Sequence, residues 1–544
     1  MNKVYILIII LVPLCLWGQN RVIEIDYGLQ PKPVYTFWNS TGFSPADIVM
    51  TNEMKCVLRD IGKFPKKGIN YIRPHYLLNL VEAKGMANGS PTYNWSKLDA
   101  VLDEINRNGL MLIFELMGYP SDGSDTSASQ YDKNFQEQLT HRTTYFDNLQ
   151  NAIQINLWKL FVKDLALHLE SRYGKSEIRA WFFETSNEPD LPHFWKYDVN
   201  TFLNYYDACS EGLKEADGEI VFGGPGTARD LNDTYKALLA HCDKGKNYFT
   251  GETGVRIDFV STHIKDLPRN MAKRELRLFD YIKSNHPGFI HKPFINDEAD
   301  PIAGWATPYW WEQGPWYAAF VAQNIDVHQR IVIDSAKVNY RLLSNDHTFM
   351  GNWDQRTTHA LFQNQKTADA FVLIKKPVLN VMELIAGLGD QYVDVTIPDE
   401  ISSYFGVLPT RKNDTLIILV YNRTTIEINY QEKTPNPEPD SEFGRMAQEK
   451  VTAQLHIKGI GQKRFCVKEY RLDEEHANPH HEWEKMGKPQ ILSDDQIMKL
   501  KNSEKPVLVR NESINCTDDI YSYNLISPSP SVSLIMIIPT TTGQ

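Results

Sequence analysis

The stretch IRAWFFETSNEPD, at Ile178–Asp190, joins a short apolar run to a polar turn. Trp181–Phe183 supply the apolar run, and the tripeptide Asn187–Pro189 forms the turn. A short apolar segment that ends in turn residues is typical of a buried strand in a parallel sheet. The stretch therefore predicts a strand, Ile178–Glu184, whose carboxyl end opens into a turn that carries an amide and a carboxyl group.

Similar apolar segments lie on both sides of this strand, separated by intervals long enough for helices. Eight such strands over about 310 residues favour a closed parallel barrel over an open sheet. The predicted fold class is therefore α/β, with a (β/α)8 TIM barrel over residues 33–380. The eight predicted strands are Val34–Trp38, Ile69–Arg73, Leu110–Glu115, Ile178–Glu184, Ile220–Gly223, Asp258–Thr262, Pro293–Asn296 and Val338–Leu343.

Helical spacing between the strands supports the barrel. One helix is predicted to be capped by Asn94 and to end before Gly109, because its apolar residues recur on one face. A second helix is predicted from Ile155 to Tyr173, with Gly174 as its stop.

After about residue 380 the pattern changes to strands separated by turns, which predicts an attached C-terminal β-sandwich over residues 381–544. Arg21–Asp26, within residues 20–32, also has a strand pattern and is expected to join that distant sandwich. The predicted sandwich strands are Tyr392–Ile397, Leu416–Tyr421, Thr425–Tyr430, Ala453–Ile457, Arg464–Tyr470, Pro506–Arg510 and Val532–Ile538.

The charge of the chain limits its possible partners. The formal net charge is −11 and the isoelectric point is about 5.8. Such an acidic surface argues against nucleic acid as a partner and against a coat on an anionic membrane. An anionic oligosaccharide stays possible, since it needs only a local cationic pocket.

The N-terminus indicates the secretory pathway. Residues 1–19 combine one Lys, an apolar run and a small polar end, which is the pattern of a signal peptide and too short to favour a stable membrane anchor. Secreted, lysosomal and, in a bacterium, periplasmic destinations remain open. An excess of glycosylation sequons favours the same pathway, and their asparagines are Asn39, Asn88, Asn94, Asn232, Asn413, Asn422, Asn511 and Asn515.

Cysteine usage predicts neither a disulfide scaffold nor a metal site. Five scattered cysteines remain after the predicted signal peptide, without the spacing of a zinc site. One disulfide, between Cys466 and Cys516, is possible in an oxidising compartment. We expect no cofactor and no metal.

Two glutamates stand where a barrel places its chemistry. Glu188 follows the predicted fourth strand, and Glu298, in INDEADP, follows the seventh. Active sites of such barrels lie at the carboxyl ends of the strands. Cleavage of a glycosidic bond needs two carboxyl groups across the bond, at about 5–5.5 Å for retention and farther apart for inversion. The sequence does not measure that distance.

Longer blocks around both glutamates resemble the α-L-iduronidases of glycoside hydrolase family 39, the family that also contains β-xylosidases. The resemblance runs from about Thr36 to the end of the sandwich. The blocks that carry it are FFETSNEPD (Phe182–Asp190), FLNYYDACSEGL (Phe202–Leu213), FTGETGVRIDFVSTHIK (Phe249–Lys265), INDEADPIAGW (Ile295–Trp305) and LLSNDHTF (Leu342–Phe349).

The resemblance implies a retaining exo-glycosidase that removes terminal α-L-iduronic acid from dermatan or heparan sulfate. Glu188 would be the general acid/base and Glu298 the nucleophile. Glu188 is then expected to have a raised pKa, while Glu298 stays ionised.

The resemblance also implies a set of substrate-binding residues. Asn187 and His75 would contact sugar hydroxyls, and the backbone of Gly304 would line the same pocket. Lys265 and Arg356 would receive the uronate carboxylate, with Asp346 accepting a hydroxyl or orienting Arg356.

The chain departs from the iduronidase pattern at Ser186, where a Trp is usual, and it is expected to lack the third β-domain of the animal enzymes. Two alternatives remain. A β-xylosidase or another uronide hydrolase of the same family would share the catalytic pair, although a neutral pentose needs no cationic pocket. A non-catalytic carbohydrate-binding relative would be expected to have lost a catalytic glutamate.

Overall fold

The computed structural model describes most of the chain between Arg21 and Thr540. The described residues are 21–43, 46–64, 68–85, 91–121, 146–304, 309–347, 351, 353, 355–366, 371–399, 401–423 and 450–540. The predicted signal peptide, at residues 1–19, and the predicted strand at Thr425–Tyr430 lie outside these residues.

Eight parallel strands form one sheet in chain order, which confirms the barrel. The first and eighth strands approach each other through a parallel bridge between Thr41 and Asn345, and the Leu343 N–H donates to the Phe37 carbonyl at 2.7 Å. The strands are Ser40–Gly42, Tyr71–Arg73, Met111–Glu115, Phe182–Glu184, Val221–Thr227, Val260–Thr262, Phe294–Asn296 and Tyr340–Leu343.

The first strand differs from its prediction. Val34–Trp38 is not a strand, although Phe37 and Trp38 are buried, because these residues form the turn that precedes Ser40–Gly42. The observed strand is made of small residues since it runs close to the eighth strand. A Cβ atom on Gly42 would lie 2.8 Å from the Asp346 Cα, so this position has no room for an apolar side chain. The strand therefore lacks the hydrophobic pattern from which it could have been predicted.

Helices surround the barrel and confirm the two that the sequence singled out. Ser96–Arg107 ends before Gly109, and Ala152–Tyr173 ends at Gly174. Asn94 lies one residue before the observed cap position, Trp95, and its Oδ1 accepts from the Ser96 N–H at 3.2 Å. The described α-helices are Asn52–Gly62, Ser96–Arg107, Ala152–Tyr173, Lys175–Ile178, Val199–Ala216, Asp233–Lys244, Pro268–Asn285, Pro315–Val327, Pro377–Ala386, Pro479–Lys485 and Asp494–Asn502.

Shorter elements connect these units. They are 3-10 helices at Ala46–Met50, Leu77–Leu80, Pro287–Phe289 and Trp310–Glu312, a π-helix at His328–Ser335, a hairpin of Glu82–Lys84 with Thr92–Asn94, and a small sheet of Phe371–Lys375, His359–Asn364 and Ile491–Leu492.

Two further sheets pack over a separate apolar core and form the sandwich. The first has seven strands in the order Lys32–Pro33, Gln391–Tyr392, Phe405–Lys412, Thr415–Asn422, Ser531–Pro539, Arg464–Asp473 and Val507–Asn515. The second has four, in the order Asp394–Thr396, Arg21–Asp26, Val451–Lys458 and Ile520–Ser527.

The N-terminal strand Arg21–Asp26 pairs in parallel with Val451–Lys458, more than four hundred residues away in the chain. Besides the two-residue edge strand Lys32–Pro33, two longer sandwich strands were missing from the prediction, Phe405–Lys412 and Ile520–Ser527. The first contains Gly406 and Pro409, which argue against a strand interior when only the sequence is considered.

The barrel and the sandwich pack together at one helix of the barrel, Pro315–Val327. Every residue of the helix Pro315–Val327 is buried, with the barrel on one side and sandwich strands on the other. The Tyr421 hydroxyl donates to Asp326 at 2.8 Å, and Arg423 Nε donates to Gln323 at 2.6 Å. The expected division at residue 380 falls inside the helix Pro377–Ala386.

Two sequence-based expectations about modification change. Cys466 and Cys516 are both free thiols, so the disulfide that seemed possible is absent. The Cys516 thiol instead donates to the Asp518 carbonyl at 2.9 Å. Asn39 and Asn422 are buried, and the folded chain offers no access for a glycan at these two sequons.

Among the described helices, none combines the length and the hydropathy that a bilayer span requires.

Candidate active site

The turn after the fourth strand places Glu188 at the mouth of the barrel. Its backbone adopts φ +40°, a left-handed conformation that is costly for a residue with a side chain. The Glu188 N–H donates to the Gly226 carbonyl at 3.1 Å, and its own carbonyl accepts from the Leu191 N–H at 2.9 Å. These two hydrogen bonds hold the strained turn, and only 8% of Glu188 remains exposed.

Glu298 lies opposite, just beyond the seventh strand, and cationic or imidazole side chains surround it. Arg73 Nη1 donates to Glu298 Oε1 at 2.9 Å, and the Lys265 ammonium donates to Oε2. The His75 Nε2 is 3.6 Å from Oε1. Burial alone would raise the pKa of Glu298, but His263, Lys265 and Arg73 hold it well below its ordinary value. Glu298 is therefore an ionised carboxylate, as expected.

The two carboxylates are close together. One oxygen of Glu188 and one of Glu298 lie within 4.8 Å of each other, in a group that also includes a nitrogen of His263. Such close oxygens are compatible with the separation of about 5–5.5 Å between the carboxyl groups of retaining glycosidases.

His263, from the loop after the sixth strand, connects both carboxylates and was not singled out in the sequence. Its Nδ1 lies 3.0 Å from Glu188 Oε1 and 3.5 Å from Glu298 Oε1. Its Nε2 lies 3.3 Å from Asp297 Oδ1 and 3.1 Å from Arg73 Nη2. Burial would lower the pKa of His263, but the carboxylates of Glu298, Asp297 and Glu188 raise it well above its ordinary value.

The expected raised pKa of Glu188 is wrong. Burial does raise the pKa of Glu188, but the hydrogen bond from His263 and the charge of Lys265, whose Nζ is 3.8 Å away, outweigh burial and lower it. The sequence could not supply this result because both cations come from the sixth strand, some 75 residues along the chain.

Arg73 is a second functional residue that the sequence analysis missed. It ends the second strand, is 1% exposed, and forms ion pairs at 2.7–3.0 Å with four carboxylates. These partners are Glu115, Glu184, Asp297 and Glu298. Arg73 Nη2 also donates to Asn187 Oδ1 at 3.1 Å. In the sequence, a role for Arg73 is indicated only by its position two residues before His75, which was predicted to bind substrate.

Beneath the catalytic pair, Glu184 and Asp297 interact and titrate together. Burial and the neighbouring Asp297 raise the pKa of Glu184 to about 8. Asp297, against Arg73 and His263, has a lowered pKa despite its burial. Of these two carboxyl groups directly behind Glu298, Asp297 is therefore the more acidic.

The residues predicted to bind substrate gather around this pair. His75 Nδ1 bonds to Glu115 Oε2 at 2.5 Å, which fixes the imidazole with Nε2 towards the site. Oxygens of Glu298 and Asp346 lie within 4.8 Å of each other and of a His75 nitrogen. Burial and the charge of Glu298 raise the pKa of Asp346 to about 6.

Arg356 lies behind Asp346 and is 2% exposed. It donates through Nη2 to Asp346 Oδ2 at 2.9 Å and through Nε to the Asp346 carbonyl at 2.7 Å. Its Nη1 donates to the Ile302 carbonyl at 3.1 Å, two residues from Gly304. Asp346 and Arg356 therefore orient each other, while Gly304 joins the site only through its loop.

Two groups of side chains have donor atoms close enough for a shared cation, Glu188–His263–Glu298 and His75–Glu298–Asp346. Both groups depend on Glu298, whose oxygens already contact Arg73 and Lys265. We therefore interpret both groups as parts of a hydrogen-bonded network whose cations are side chains.

Comparison with known proteins agrees with this geometry. The family model described as glycosyl hydrolases family 39 matches residues 21–520. The chain is 32% identical to mouse α-L-iduronidase, over 91% of this chain and 77% of the mouse protein. It is 32% identical to the human α-L-iduronidase, over 90% of this chain and 74% of the human protein. A β-xylosidase from Caldicellulosiruptor saccharolyticus is 24% identical over 88% of this chain and 90% of that protein.

Solved structures give the same result. A bacterial orthologue of human α-L-iduronidase superposes with a TM-score of 0.81 at 32% identity, covering 96% of this chain and 84% of that one. A β-xylosidase from Caulobacter crescentus has a TM-score of 0.71 at 18% identity, covering 96% of this chain and 100% of that one, and supports the fold alone.

Proposed function

The chain is a glycoside hydrolase that belongs to glycosyl hydrolase family 39, and from this we propose that it is a retaining exo-glycosidase removing terminal α-L-iduronic acid from glycosaminoglycans. Dermatan and heparan sulfate are the proposed polymers. The proposal draws on its similarity to iduronidases along most of the chain.

In the proposed first step, the Glu298 carboxylate attacks the anomeric carbon. Glu188 transfers its proton to the glycosidic oxygen, the carbon–oxygen bond breaks, and the remaining saccharide leaves as an alcohol. The separation of the two carboxylates, within 4.8 Å between nearest oxygens, supports direct attack with no water between them.

In the second step, water gives a proton to Glu188 while its oxygen attacks the anomeric carbon and releases Glu298. The ester in the glycosyl-enzyme has neutralised Glu298 at this stage. Because the Glu298 charge raises the pKa of Glu188, its loss makes Glu188 more acidic and keeps it available as a base.

The observation that carries the uronide assignment is the position of Lys265. Its ammonium contacts Glu298 and lies 3.8 Å from Glu188, with 13% of its side chain exposed. A uronate carboxylate bound to Lys265 would offset the charge that lowers the pKa of Glu188. The substrate would thereby help Glu188 to hold its proton. A neutral sugar would not have this effect.

Asp346 is proposed to bind a sugar hydroxyl, with Arg356 behind it as its support and Gly304 contributing backbone to the same wall. Asn187, held by Arg73, and His75, held by Glu115, are proposed to contact hydroxyls near the reacting carbon. Each of these side chains is oriented by a buried partner, as a rigid sugar site requires.

The test is turnover of fluorogenic α-L-iduronide, β-D-glucuronide and β-D-xyloside at acidic pH. We expect the iduronide to be hydrolysed, Glu298→Gln to be inactive, and Lys265→Met to lose iduronide turnover at least about tenfold. Turnover of the xyloside without the iduronide would replace the substrate with that of the β-xylosidases. Inactivity of the wild-type chain on all three would favour a carbohydrate-binding relative.

We also propose that the chain enters the secretory pathway, whether to be secreted or to reach the lysosome. The support is the pattern of residues 1–19 and the identity of the relatives. N-terminal sequencing of the protein recovered after expression in a secreting host should begin near Asn20. A mature protein that begins at Met1 would contradict cleavage.

A further inference from the structure

One ring nitrogen of His263, Nδ1, lies close to both catalytic carboxylates. Nδ1 is 3.0 Å from Glu188 Oε1 and 3.5 Å from Glu298 Oε1, and the side chain is fully buried. In the described part of the site Lys265 also lies near both carboxylates, but its ammonium is exposed enough to meet a substrate.

The neighbours of Nε2 determine where the imidazole carries its proton. Arg73 Nη2, which can only donate, is 3.1 Å from Nε2. Neutral His263 can therefore accept from Arg73 at Nε2 and carry its hydrogen on Nδ1. A charged His263 adds a second hydrogen that Asp297 Oδ1, at 3.3 Å, can accept. In both states an N–H at Nδ1 points to the catalytic carboxylates.

Ionisable groups surround this imidazole on every side. Arg73 comes from the second strand, Glu188 from the turn after the fourth, and Asp297 and Glu298 from the end of the seventh. Lys265 is two residues along the same loop. Behind them Glu115 and Glu184 contact Arg73 rather than His263. Carboxylates thus outnumber cations in direct contact with the ring.

On the basis of the proposed function, we propose that His263 is a positioning residue for both catalytic glutamates, whose Nδ1–H couples their protonation and so sets both limbs of the pH–activity profile. The acidic limb reports the ionisation of Glu298, and the alkaline limb reports the proton on Glu188. Coupling through one hydrogen means that both limbs move in the same direction when the imidazole is removed.

The direction follows from the interactions. His263 lowers the pKa of Glu188 through its hydrogen bond, against burial, and it is the foremost group that lowers the pKa of Glu298 against burial. Removing the imidazole therefore raises both values. The whole bell-shaped profile moves to higher pH.

The proton balance is closed within the pair. When Glu188 gives its proton to the leaving oxygen, the Nδ1–H of His263 turns to the new carboxylate and stabilises it. In the second step water returns a proton to Glu188.

The experiment is the pH dependence of kcat/KM for His263→Phe, which lacks donor and charge, and His263→Gln, which retains a neutral donor. We expect both limbs of the Phe variant to move up by about one pH unit, with the Gln variant between it and the wild type. Loss of activity at all pH values with unmoved limbs would overturn the proposal and leave His263 as packing.

A matched control is His328→Phe. His328 is equally buried and lies 2.9 Å from Glu275 through Nε2, but in the described structure it contacts neither catalytic glutamate. We expect this variant to lower the melting temperature without moving either limb. Movement of both limbs in this control as well would assign the effect to general loosening of the barrel.

Failure of the proposed function is distinguishable from failure of this inference. The profile can be measured on whichever glycoside the wild type hydrolyses, so a different substrate leaves the inference testable. If no glycoside is hydrolysed, carboxyl ¹³C NMR titration of Glu188 and Glu298, assigned with Glu→Gln variants, reads the two pKa values directly. Unchanged titration in His263→Phe would overturn the inference.

Discussion

At the scale of single residues, Glu188 combines backbone strain with a pKa that burial raises but that His263 and Lys265 lower overall. Its proposed role as acid/base predicts a result that a structural role does not. Glu188→Ala should lose about 10²–10⁴-fold in turnover of glycosides with poor leaving groups, since those need proton donation. Activated aryl glycosides should be cleaved in the first step and then stall. Steady-state rates for a series of leaving groups measure this.

Added azide provides the control for Glu188→Ala. Azide needs no general base, so it should accelerate breakdown of the glycosyl-enzyme in this variant and yield a glycosyl azide of retained configuration. Glu298→Ala should show no such rescue, because it forms no glycosyl-enzyme. Equal loss for all leaving groups, without azide rescue, would contradict the assignment of Glu188.

The catalytic glutamates could be predicted from sequence, but the residues that control them could not. Glu188 and Glu298 stand in recognisable turns after apolar strands, so local pattern reveals them. Arg73 and His263 acquire their roles only because the barrel brings the second and sixth strands to the same centre. Their partners are 34 to 225 residues away in the chain, and no local pattern encodes such convergence.

At the scale of elements, the first barrel strand is defined by close approach and not by hydrophobicity. A Cβ on Gly42 would lie 2.3 Å from Asp346 Oδ1 and 2.8 Å from its Cα. Gly42→Ala should therefore displace Asp346 and reduce kcat/KM for the iduronide by roughly 10- to 100-fold, since small displacements at a site are costly. Kinetic assay beside thermal unfolding measures both effects.

Gly218→Ala is the matched control for Gly42→Ala, because no atom lies within 4 Å of its added Cβ. It should leave kcat/KM and the melting temperature nearly unchanged. If Gly42→Ala retained full activity, Asp346 would not depend on the first strand for its position.

Most other barrel strands and helices could be predicted because their apolar residues recur at the spacing typical of a strand or of a helix. Seven of the eight barrel strands overlap their predictions, and the helix Ala152–Tyr173 was found within three residues. The failures occur where a neighbour, and not the segment itself, determines the structure. Ser40–Gly42 is constrained by the eighth strand, and Phe405–Lys412 accommodates Pro409 while it pairs along its whole length with Thr415–Asn422.

At the scale of the whole molecule, the barrel and the sandwich stabilise each other through the helix Pro315–Val327. This helix is buried on all sides, so removing the sandwich would expose one apolar face. It would also take away the Tyr421 hydroxyl that bonds to Asp326. We expect a fragment of residues 34–388 to be insoluble or unfolded, as judged by gel filtration and circular dichroism. A folded, soluble fragment would show that the barrel is independent.

The stability of the whole chain should fall as pH rises from about 6.5 to 8. Burial raises the pKa values of Glu184 and Glu312 to about 8 and that of Asp346 to about 6. In the unfolded chain these groups ionise near pH 4, so the folded state binds more protons throughout this window. The stability that depends on those protons is present at low pH and is lost as pH rises through the pKa values that these groups have in the folded state.

The lower bound of that window is set by histidines with the opposite behaviour. Burial lowers the pKa of His347 to about 3 and that of His480 to about 4. Below the ordinary histidine pKa of about 6.5 these two side chains take up protons only in the unfolded chain, which lowers the stability of the fold as pH falls. Above pH 6.5 they have no such effect, and the carboxyl groups alone determine the pH dependence. The melting temperature should therefore decrease between pH 6.5 and pH 8.

Glu312→Gln isolates one contribution to this pH dependence. Glu312 is 1% exposed, and its Oε2 accepts from the Tyr309 N–H at 3.3 Å. The oxygen of a neutral amide can accept the same hydrogen bond, so the substitution loses little there. The variant should flatten the decrease, because one group no longer has to ionise at a cost of up to about 1.4 kcal/mol per pH unit. Thermal unfolding at pH 5, 6.5 and 8 tests both chains. A wild-type melting temperature that rises towards pH 8 would mean that these carboxyl groups ionise freely in the folded state.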